Sequence, residues 1–501
     1  MNINLLIDQL VLYALREQLI KPQDRVWAVN ELLSVLHLDE YSPTGFSGKT
    51  PKYPCEILSK LCDYAVQRGL ISPDTVTMRD LFDTKLMGVF AKRPSQTIQE
   101  FFELHKKNPR KATDKFYHDA RALDYIRTSR VAKNKAWKAR TRYGNLDITI
   151  NMSKPEKDPK DIAAALHAKA SSYPQCLLCK ENEGYAGRIN HPARQTIRLI
   201  PLDLLKDGDL WYLQYSPYVY YNEHCICLSG KHEPMKLTQK SFARLLNFVE
   251  LFPHYFIGSN ADLPIVGGSI LTHDHFQGGR YTFAMEKAPL EKTFKLAKFP
   301  HVKAGIVKWP MSTLRLNGKK QDLVEAATYI LKKWRTYNDP KADVLSKTGS
   351  TPHNTITPIA RRRGKLFELD LVLRNNRTTD EFPLGIFHPH ADVHHIKKEN
   401  IGLIEVMGLA VLPARLSKEL KDLEPYLIRK DVAGLYKNET LKKHAPWVEQ
   451  LLKKHTFTSK NTAKILQTEV GHVFARVLEY AGVYKQTPEG RAAFERFLKK
   501  L

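Results

Sequence analysis

The sequence contains little cysteine, no long apolar run and a deficit of acidic side chains. Six cysteines in 501 residues are too few for a disulfide-stabilised secreted scaffold, so we expect reduced thiols. The longest apolar stretch, Ile401–Pro413, contains Glu405 and is shorter than the roughly 20 residues that a membrane-spanning helix needs. The first residues have no basic segment followed by a cleavage site. We therefore expect a cytoplasmic protein without a signal peptide.

The chain has 53 Asp and Glu residues and 78 Lys and Arg residues, which gives a formal net charge of +25. At 43% hydrophobic and 10% aromatic residues the chain can bury a sizeable core, which excludes a disordered protein. The positive excess favours an anionic partner: nucleic acid, an acidic surface or phosphorylated small molecules. The basic segment 130–142 is more typical of a solvated charged face than of a phosphate-binding patch.

Hydrophobic periodicity predicts helices, then a mixed region, then helices again. Strand-like segments form clusters that are not regularly interleaved with helices, which predicts an α+β fold with mostly antiparallel strands. Helices are expected at Asp114–Arg130 and Ile162–Ala170. The chain is accordingly divided into four regions, 1–145 (helical), 146–315, 316–415 and 416–501 (helical).

The most informative segment joins two glycine pairs, Gly267-Gly268 and Gly278-Gly279, through the motif His273-Asp-His275-Phe-Gln277. Side chains alternate faces along a strand, so His273, His275 and Gln277 are expected to share one face. Glycines remove side chains where a ligand could come close. Three polar groups framed by glycine suit the presentation of an imidazole to a phosphate better than they suit a core.

The pair Cys176-x-x-Cys179 supplies two ligands of a metal site that needs four. His232 and His273 can complete the set, and His224 is an alternative third ligand. A thioredoxin-like redox role is less favoured, because the surrounding β–α pattern is missing.

A second group of histidines contains His388 and His390, which would share one face of an extended segment. With His353 upstream and Glu286 after the first motif, they form a second metal site, a substrate wall or a polar surface strand. Arginine suits bidentate phosphate recognition, which makes Arg194 and Arg198 of interest. The run Arg361-Arg362-Arg363 is typical of a solvated turn.

The motif at His273–Gln277 resembles the His-x-His-x-Gln signature of hexose-1-phosphate uridylyltransferases, a branch of the histidine-triad superfamily. Three further segments resemble the type 2 galactose-1-phosphate uridylyltransferases. That type is similar to this chain over nearly its whole length. Type 1 enzymes resemble only the part after about residue 170. The three segments are His191-Pro-Ala-Arg-Gln-Thr-Ile-Arg198, Tyr215-Ser-Pro-Tyr-Val-Tyr-Tyr-Asn-Glu-His224 and Phe387-His-Pro-His-Ala-Asp-Val-His-His395.

The resemblance implies exchange of UMP between UDP-glucose and galactose 1-phosphate in galactose metabolism. His275 would be the nucleophile that forms a uridylyl-histidine, and Gln277 would hydrogen-bond a phosphate oxygen. Asn260, Ser269, Arg194 and Arg198 would contact substrate. Regions 146–315 and 316–415 would be two histidine-triad-like halves, of which the first is catalytic.

The resemblance also implies two metal sites and a homodimer. Carried over from type 1, the ligands of a structural zinc fall on Cys176, Cys179, His232 and His273. Ligands of a second metal, iron or zinc, fall on Glu286, His353, His388 and His390, although the spacing between His353 and His388 is longer than in that pattern.

Two other functions are compatible with parts of the sequence. A nucleotide-sugar or dinucleoside-polyphosphate phosphorylase of the same superfamily would use inorganic phosphate as acceptor. A nucleic-acid-binding protein would explain the charge and the segment 130–142, but it leaves the glycine-framed histidine motif unexplained. We therefore expect UDP-hexose and hexose 1-phosphate as partners, and neither nucleic acid nor a membrane.

Overall fold

The computed structural model describes residues 2–152, 171–268 and 270–501, so the predicted helix Ile162–Ala170 lies outside the described residues. The helices are α1 (Ile3–Arg16), α2 (Arg25–Leu36), α3 (Cys55–Gln67), α4 (Val76–Gly88), α5 (Pro94–Lys107), α6 (Pro109–Ala122), α7 (Thr128–Val131), α8 (Gln239–Leu251), α9 (Ala284–Lys287), α10 (Lys320–Arg335), α11 (Leu403–Val406), α12 (Arg415–Arg429), α13 (Val432–Tyr436), α14 (Ala445–Lys454), α15 (Thr462–Ala481) and α16 (Pro488–Leu498). None of these helices is both long enough and apolar enough to cross a membrane.

The strands are β1 (Lys135–Thr141), β2 (Gly144–Ile150), β3 (Ile200–Leu202), β4 (Trp211–Tyr215), β5 (Cys225–Ser229), β6 (Phe256–Ser259), β7 (His275–Gly279), β8 (Leu290–Phe294), β9 (Lys303–Val307), β10 (Thr313–Gly318), β11 (Lys347–Thr348), β12 (Thr351–Pro352), β13 (Asn354–Arg363), β14 (Leu366–Asn375) and β15 (Leu409–Leu412). Helices and largely antiparallel strands make this an α+β protein, as predicted. The chain forms two compact units. Unit 1 comprises residues 1–133, 153–233 and 273–275, and unit 2 comprises 134–152, 234–272 and 276–501.

The N-terminal helices of unit 1 begin at side chains that cap them. Asn2 accepts a hydrogen bond from the Leu5 N–H at 3.2 Å, and Thr75 accepts one from the Met78 N–H at 3.3 Å. Asn108 caps α6, whose first residue is a proline that needs no hydrogen bond at that position. The helices bury aliphatic side chains against one another, among them the fully buried Leu10, Leu32, Leu61 and Leu86.

The predicted helix Asp114–Arg130 is interrupted, because α6 ends at Ala122 and α7 begins at Thr128. The break is at Asp124, whose φ of 52° is left-handed and therefore incompatible with a continuing helix. The Asp124 carboxylate is buried 3.5 Å from the Arg127 guanidinium, and Arg127 also forms a bidentate pair with Asp83. Hydrophobic spacing alone does not reveal this polar cluster.

We expect the stability of unit 1 to depend on pH through Asp124. Burial raises the pKa of Asp124 to about 7, although Arg127 opposes the rise. An unfolded aspartate titrates near pH 4, so between roughly pH 4 and 7 the native state binds one proton more than the unfolded state. The free energy of unfolding therefore falls as pH rises through this window, by about 1.4 kcal/mol per pH unit. Asp124→Asn, which tolerates the left-handed φ, removes this slope.

Urea unfolding of wild type and Asp124→Asn at pH 5 to 8 measures the effect. We expect the variant to gain stability relative to wild type as pH rises, by roughly 2–4 kcal/mol in total. Asp39→Asn, at an exposed position of the same unit, is the control. A stability difference that stays constant with pH would contradict the assignment.

Unit 1 also contains an antiparallel sheet that leads to the candidate site. Strand β4 pairs with β3 on one side, with Ile200 opposite Leu213, and with β5 on the other, with Leu213 opposite Cys227. Trp211, Leu213, Cys225 and Cys227 are buried, so the sheet is anchored in the core. The chain leaves β5 at Ser229 and turns toward His232.

Unit 2 contains an antiparallel sheet with the strand order β7-β6-β13-β14-β10-β9-β8. Helices α8 and α10 pack against each other and against β13. Trp334 of α10 is fully buried, and its indole N–H donates to the carbonyl oxygens of Thr355 and Arg374 at 2.9 and 3.1 Å. These contacts fix the sheet that carries β6 and β7.

A smaller sheet of unit 2 explains the basic segment. Strand β2 pairs antiparallel with β1 and parallel with β15, which leaves β1 at the edge. Lys135, Lys138 and Arg140 of β1 are exposed, and Lys138 pairs with Asp147 of β2. Exposed lysines on an edge strand discourage pairing with another chain.

Helix α15 packs closely on this edge strand at Gly471. A Cβ atom on Gly471 would lie 2.0 Å from the Ala139 Cβ, so only glycine fits. We expect Gly471→Val to lower the free energy of unfolding by roughly 1–3 kcal/mol through overpacking. Ala463→Val on the exposed side of α15 is the matched control, expected to remain within about 0.5 kcal/mol of wild type. Equal effects of the two substitutions in urea unfolding would contradict the close packing.

Candidate active site and metal centre

The Cys176–Cys179 segment forms a tight turn that brings its two sulfurs together. The Cys179 N–H donates to the Cys176 carbonyl oxygen at 3.3 Å, and the Leu178 N–H donates to the Cys176 Sγ at 3.3 Å. The two sulfur atoms are 3.5 Å apart. A turn of this kind presents both sulfurs to one point.

Two histidines complete a compact cluster with these cysteines. The His273 Nδ1 lies 3.3 Å from the Cys176 Sγ and 3.7 Å from the Cys179 Sγ. The His232 Nδ1 lies 3.2 Å from the Cys179 Sγ. One ligand atom from each of the four residues lies within 4.8 Å of every other. The cluster therefore has the ligand atoms and the separations to hold one metal ion.

The chemistry of the four side chains fits a divalent cation with tetrahedral preference. Sulfur and nitrogen atoms that share a tetrahedral zinc lie roughly 3.3–3.8 Å apart, and the four closest separations here, from 3.2 to 3.7 Å, are near that range. The His273 Nε2 is 2.9 Å from the Ser229 carbonyl oxygen and must donate to it, so the Nδ1 lone pair faces the sulfurs. Burial and the neighbouring Cys176 raise the pKa of the Cys179 thiol to about 12. A cation would supply the charge that lets both thiols ionise.

The alternative third ligand, His224, does not belong to this cluster. Its Nδ1 lies 2.7 Å from the Tyr218 carbonyl oxygen, and its ring packs on Tyr221 at 4.7 Å between centroids. His232 is therefore the histidine that the structure brings to the cysteines.

His275 stands at the first position of β7 and is 5% exposed. Its Nδ1 lies 2.8 Å from the His273 carbonyl oxygen, so Nδ1 carries the proton and Nε2 carries the lone pair. Burial lowers the pKa of His275 to about 4. The side chain is therefore a neutral imidazole with a defined tautomer, which is the form in which histidine acts as a nucleophile.

The expectation that His273 lies on the same strand face as His275 and Gln277 is wrong. Strand β7 begins only at His275, and the chain bends at Thr272 and His273. The Asp274 N–H donates to the Glu233 carbonyl oxygen at 2.8 Å, while the Asp274 carbonyl oxygen accepts from Ser229 N–H at 2.9 Å. These contacts turn His273 toward the cysteines. His275 and Gln277 remain two residues apart on one strand and share a face.

Glycines make room beside Gln277 and Asn260. Gln277 is opposite Gly258 in the pairing of β6 with β7. Asn260 is 3% exposed and its Oδ1 accepts from the Leu403 N–H at 2.9 Å. A Cβ on Gly268 would lie 2.6 Å from the Asn260 Nδ2, so the glycine permits the close approach. Ser269 lies outside the described residues.

The two arginines predicted to contact substrate differ in their surroundings. Arg198 donates to the carbonyl oxygens of Lys92, Gln195, Ile197 and Ala91, at distances of 2.5, 2.9, 2.6 and 3.2 Å, so its guanidinium is committed to main-chain atoms. Arg194 is half-buried, and its guanidinium lies over the Tyr125 ring at 5.7 Å from the centroid. Arg194 is the better candidate for contact with a phosphate.

The structure does not bring together the second predicted set of metal ligands. Glu286 pairs with Arg363 at 2.8 Å. The His353 ring nitrogens contact Asn376 Oδ1 and Thr348 Oγ1, both at 2.8 Å. In the described part of the chain, the Cys/His cluster is the one group of three or more such residues arranged for a metal. The positions of Glu286 and His353 therefore do not support the second metal site, which remains a prediction.

His388 and His390 lie in a loop and not on an extended strand. The His388 Nε2 contacts Asn400 Oδ1 at 3.2 Å. His390 is stacked between Phe382 and Tyr480, with centroids at 4.5 and 4.1 Å. Each ring is held by its own neighbours, so the two do not present a common face.

The prediction of a solvated turn at Arg361–Arg363 is wrong in that the run ends strand β13 and Arg361 is buried, whereas Arg363 is exposed. Arg361 lies on β13, is 4% exposed and pairs with Glu368 at 2.6 Å and Asp370 at 2.8 Å. Arg315 pairs with Asp370 from the neighbouring strand at 2.7 Å. Arg315 and Arg361 are buried because the buried carboxylates of Glu368 and Asp370 pair with their charges.

Sequence reasoning missed Asn182, which is 2% exposed beside the cysteine turn. Its Nδ2 donates to the carbonyl oxygens of Cys176 and Cys179. The only sequence signal is its position three residues after Cys179, which is too general to identify such a contact.

The chain is similar to known proteins over its whole length. Residues 19–234 match the family model "Galactose-1-phosphate uridyl transferase, N-terminal domain", and residues 248–448 match the corresponding C-terminal domain. The galactose-1-phosphate uridylyltransferase of Halalkalibacterium halodurans is 55% identical over 504 positions, covering 100% of this chain and 99% of that protein. The protein of that name from Bacillus subtilis is 52% identical, covering 99% and 97%. Among solved structures, yeast Ap4A phosphorylase matches with a TM-score of 0.34 and 14% identity, covering 68% of this chain and 92% of that chain.

These matches show that the protein is a transferase. It belongs to the galactose-1-phosphate uridylyltransferase family, whose two domain models cover most of its length.

Proposed function

We propose that the protein exchanges UMP between UDP-glucose and galactose 1-phosphate, with His275 as the nucleophile. The observation that carries the assignment of His275 is the 2.8 Å contact from its Nδ1 to the His273 carbonyl oxygen. This contact leaves the Nε2 lone pair available on a buried, neutral ring. Membership of the family supplies the substrates, UDP-glucose and a hexose 1-phosphate, and a role in galactose metabolism.

In the first step the His275 Nε2 attacks the α-phosphorus of UDP-glucose. A bond forms between Nε2 and phosphorus, and the bond from phosphorus to the bridging oxygen breaks, so glucose 1-phosphate leaves with the electron pair. This leaving group is a phosphate monoester, a weak base that needs no proton from a general acid. The Nδ1–H stays on the ring, and its hydrogen bond to the His273 carbonyl stabilises the positive charge that the ring acquires.

In the second step a phosphate oxygen of galactose 1-phosphate attacks the same phosphorus. The Nε2–phosphorus bond breaks, UDP-galactose is released and His275 returns to its neutral form. Gln277 lies on the same strand face and donates a hydrogen bond to a non-bridging oxygen as charge develops. An amide has no acidic proton to give, which favours transfer to a second sugar phosphate over hydrolysis.

The remaining predicted site residues would bind and orient substrate. We assign Asn260 and Ser269 as donors to the phosphates and Arg194 as a cationic contact. Arg198, whose guanidinium bonds to main-chain carbonyls, would instead hold the strand region in shape.

Cys176, Cys179, His232 and His273 would hold a zinc ion with a structural role. Bound there, zinc would fix the bend at His273 and with it the position of the His273 carbonyl that orients His275. No bond of the reaction needs to involve the metal.

We further propose a homodimer in the cytoplasm and a division of the chain at residues 145, 315 and 415. Regions 146–315 and 316–415 would then be the two histidine-triad-like halves. The N-terminal region before them was predicted to be helical but also contains strand β1, and the C-terminal region after them is helical.

An acceptor assay tests the proposed function. Enzyme with UDP-glucose and galactose 1-phosphate is expected to form UDP-galactose and glucose 1-phosphate, while inorganic phosphate in place of the sugar phosphate is expected to give no UDP. Product formation only with inorganic phosphate would establish a phosphorylase and overturn the proposal. No turnover with either acceptor would overturn both the uridylyltransferase and the phosphorylase assignments.

A further inference from the structure

Residues 171–179, which include the cysteine turn, have no regular secondary structure, and one turn of 3-10 helix, Lys180–Asn182, follows Cys179. What holds the carbonyl groups of the turn is the side chain of Asn182. Its Nδ2 donates to the Cys176 carbonyl oxygen at 2.8 Å and to the Cys179 carbonyl oxygen at 2.7 Å. The Asn182 N–H adds a further bond to the Cys179 carbonyl oxygen at 3.0 Å.

The orientation of the Asn182 amide follows from its partners. Only the NH₂ group can donate to two carbonyl oxygens, so the Oδ1 atom must face the other way. There it lies 2.7 Å from the His191 Nε2. An amide oxygen only accepts, so the His191 Nε2 must carry a hydrogen and donate it.

His191 is itself fixed in position. It is 7% exposed, and its main chain exchanges two hydrogen bonds with Arg188, both at 2.8 Å. Its ring packs edge-on against Tyr185 at 5.4 Å between centroids. The ring can therefore hold the Asn182 amide in one orientation and keep it from rotating.

We propose that His191 and Asn182 form a clamp, defined by these two side chains, that positions both cysteines for metal binding. The clamp acts through the Cys176 and Cys179 carbonyl groups and not through direct contact with a metal. This inference rests on the proposed metal site. It gives His191, which stands at the start of one of the motifs found in the sequence, a positioning role.

The clamp predicts a specific pattern of variants. His191→Leu fills the space but cannot donate, and Asn182→Asp keeps the acceptor but loses the NH₂ donor. We expect each of these two variants to bind metal about 10–100-fold more weakly than wild type, or to release it faster by the same factor. The reason is that each loses a hydrogen bond that orients the metal-binding residues. His191→Gln can donate from its own amide and is expected to recover most of the affinity. His301→Ala, at an exposed histidine, is the control.

The experiment loads each full-length variant with zinc, measures the bound metal by elemental analysis, and follows its transfer to a chromophoric chelator. Far-ultraviolet circular dichroism on the same samples verifies folding. Retention by wild type, His301→Ala and His191→Gln, with rapid loss from His191→Leu and Asn182→Asp, supports the clamp. Equal retention by all variants overturns it while leaving the metal site intact.

Two further outcomes are distinguishable. If wild type itself retains no zinc, the proposed metal site fails and the clamp fails with it. If His191→Leu does not fold, the comparison of folded His191→Gln and Asn182→Asp decides, because only the second lacks a donor to the cysteine carbonyls; similar retention by these two then overturns the clamp.

Discussion

Replacing His275 by alanine is expected to lower kcat for UMP exchange by at least about 10⁴-fold, because the residue forms the covalent intermediate. The imidazole is buried, its tautomer is set by the His273 carbonyl, and no other described side chain of β7 offers an equivalent nucleophile. The loss is expected in kcat more than in KM, since the substrate contacts assigned to Asn260 and Arg194 remain.

His301→Ala is the matched control, because it removes an exposed histidine and is expected to retain wild-type rates. Gln277→Ala is expected to have a smaller effect than His275→Ala, about 10²-fold, because it removes one hydrogen bond to developing charge. Exchange by His275→Ala within tenfold of wild type would show that another group carries the UMP.

Replacing Cys179 by alanine is expected to have the largest effect on stability. Its sulfur lies within 3.7 Å of one atom from each of the other three cluster members, so its loss leaves an incomplete site. Zinc bound at structural sites contributes directly to folding free energy. We expect loss of bound metal and a fall in Tm of roughly 5–10 °C.

Cys225→Ala is the control, because Cys225 is also a buried cysteine of unit 1 but lies on β5 outside the cluster. A chelator is expected to lower the Tm of wild type and of Cys225→Ala, and to leave Cys179→Ala unchanged. If the chelator lowers all three equally, or none of them, the cluster is not a stabilising metal site.

The Cys-x-x-Cys spacing and the resemblance to the uridylyltransferase family together predicted the cysteine–histidine cluster, and the resemblance favoured His232 over His224. Cys176, Cys179, His232 and His273 were selected from the sequence and lie together in the structure. The local backbone at His273 was predicted wrongly. Alternation along a strand assumes regular pairing, whereas hydrogen bonds from Ser229 and to Glu233 bend the chain before β7 begins.

Features that depend on distant partners could not be read from the sequence. Arg361 is buried because Glu368 and Asp370 face it from the next strand, and His390 is held by Phe382 and Tyr480. The contact between Asn182 and His191 likewise exists only once the turns around them have formed. Hydrophobic periodicity indicates the α+β class, and the family resemblance implies that His275 is the nucleophile, but neither reveals these pairings.

The most direct measurement of the central claim is the intact mass of the protein after incubation with UDP-glucose alone. The proposed mechanism predicts a gain of one uridylyl group in wild type, with release of an equal amount of glucose 1-phosphate, and no gain in His275→Ala. Subsequent addition of galactose 1-phosphate is expected to remove the adduct as UDP-galactose. An adduct that persists in His275→Ala, or the absence of both adduct and glucose 1-phosphate with wild type, would contradict a uridylyl-His275 intermediate.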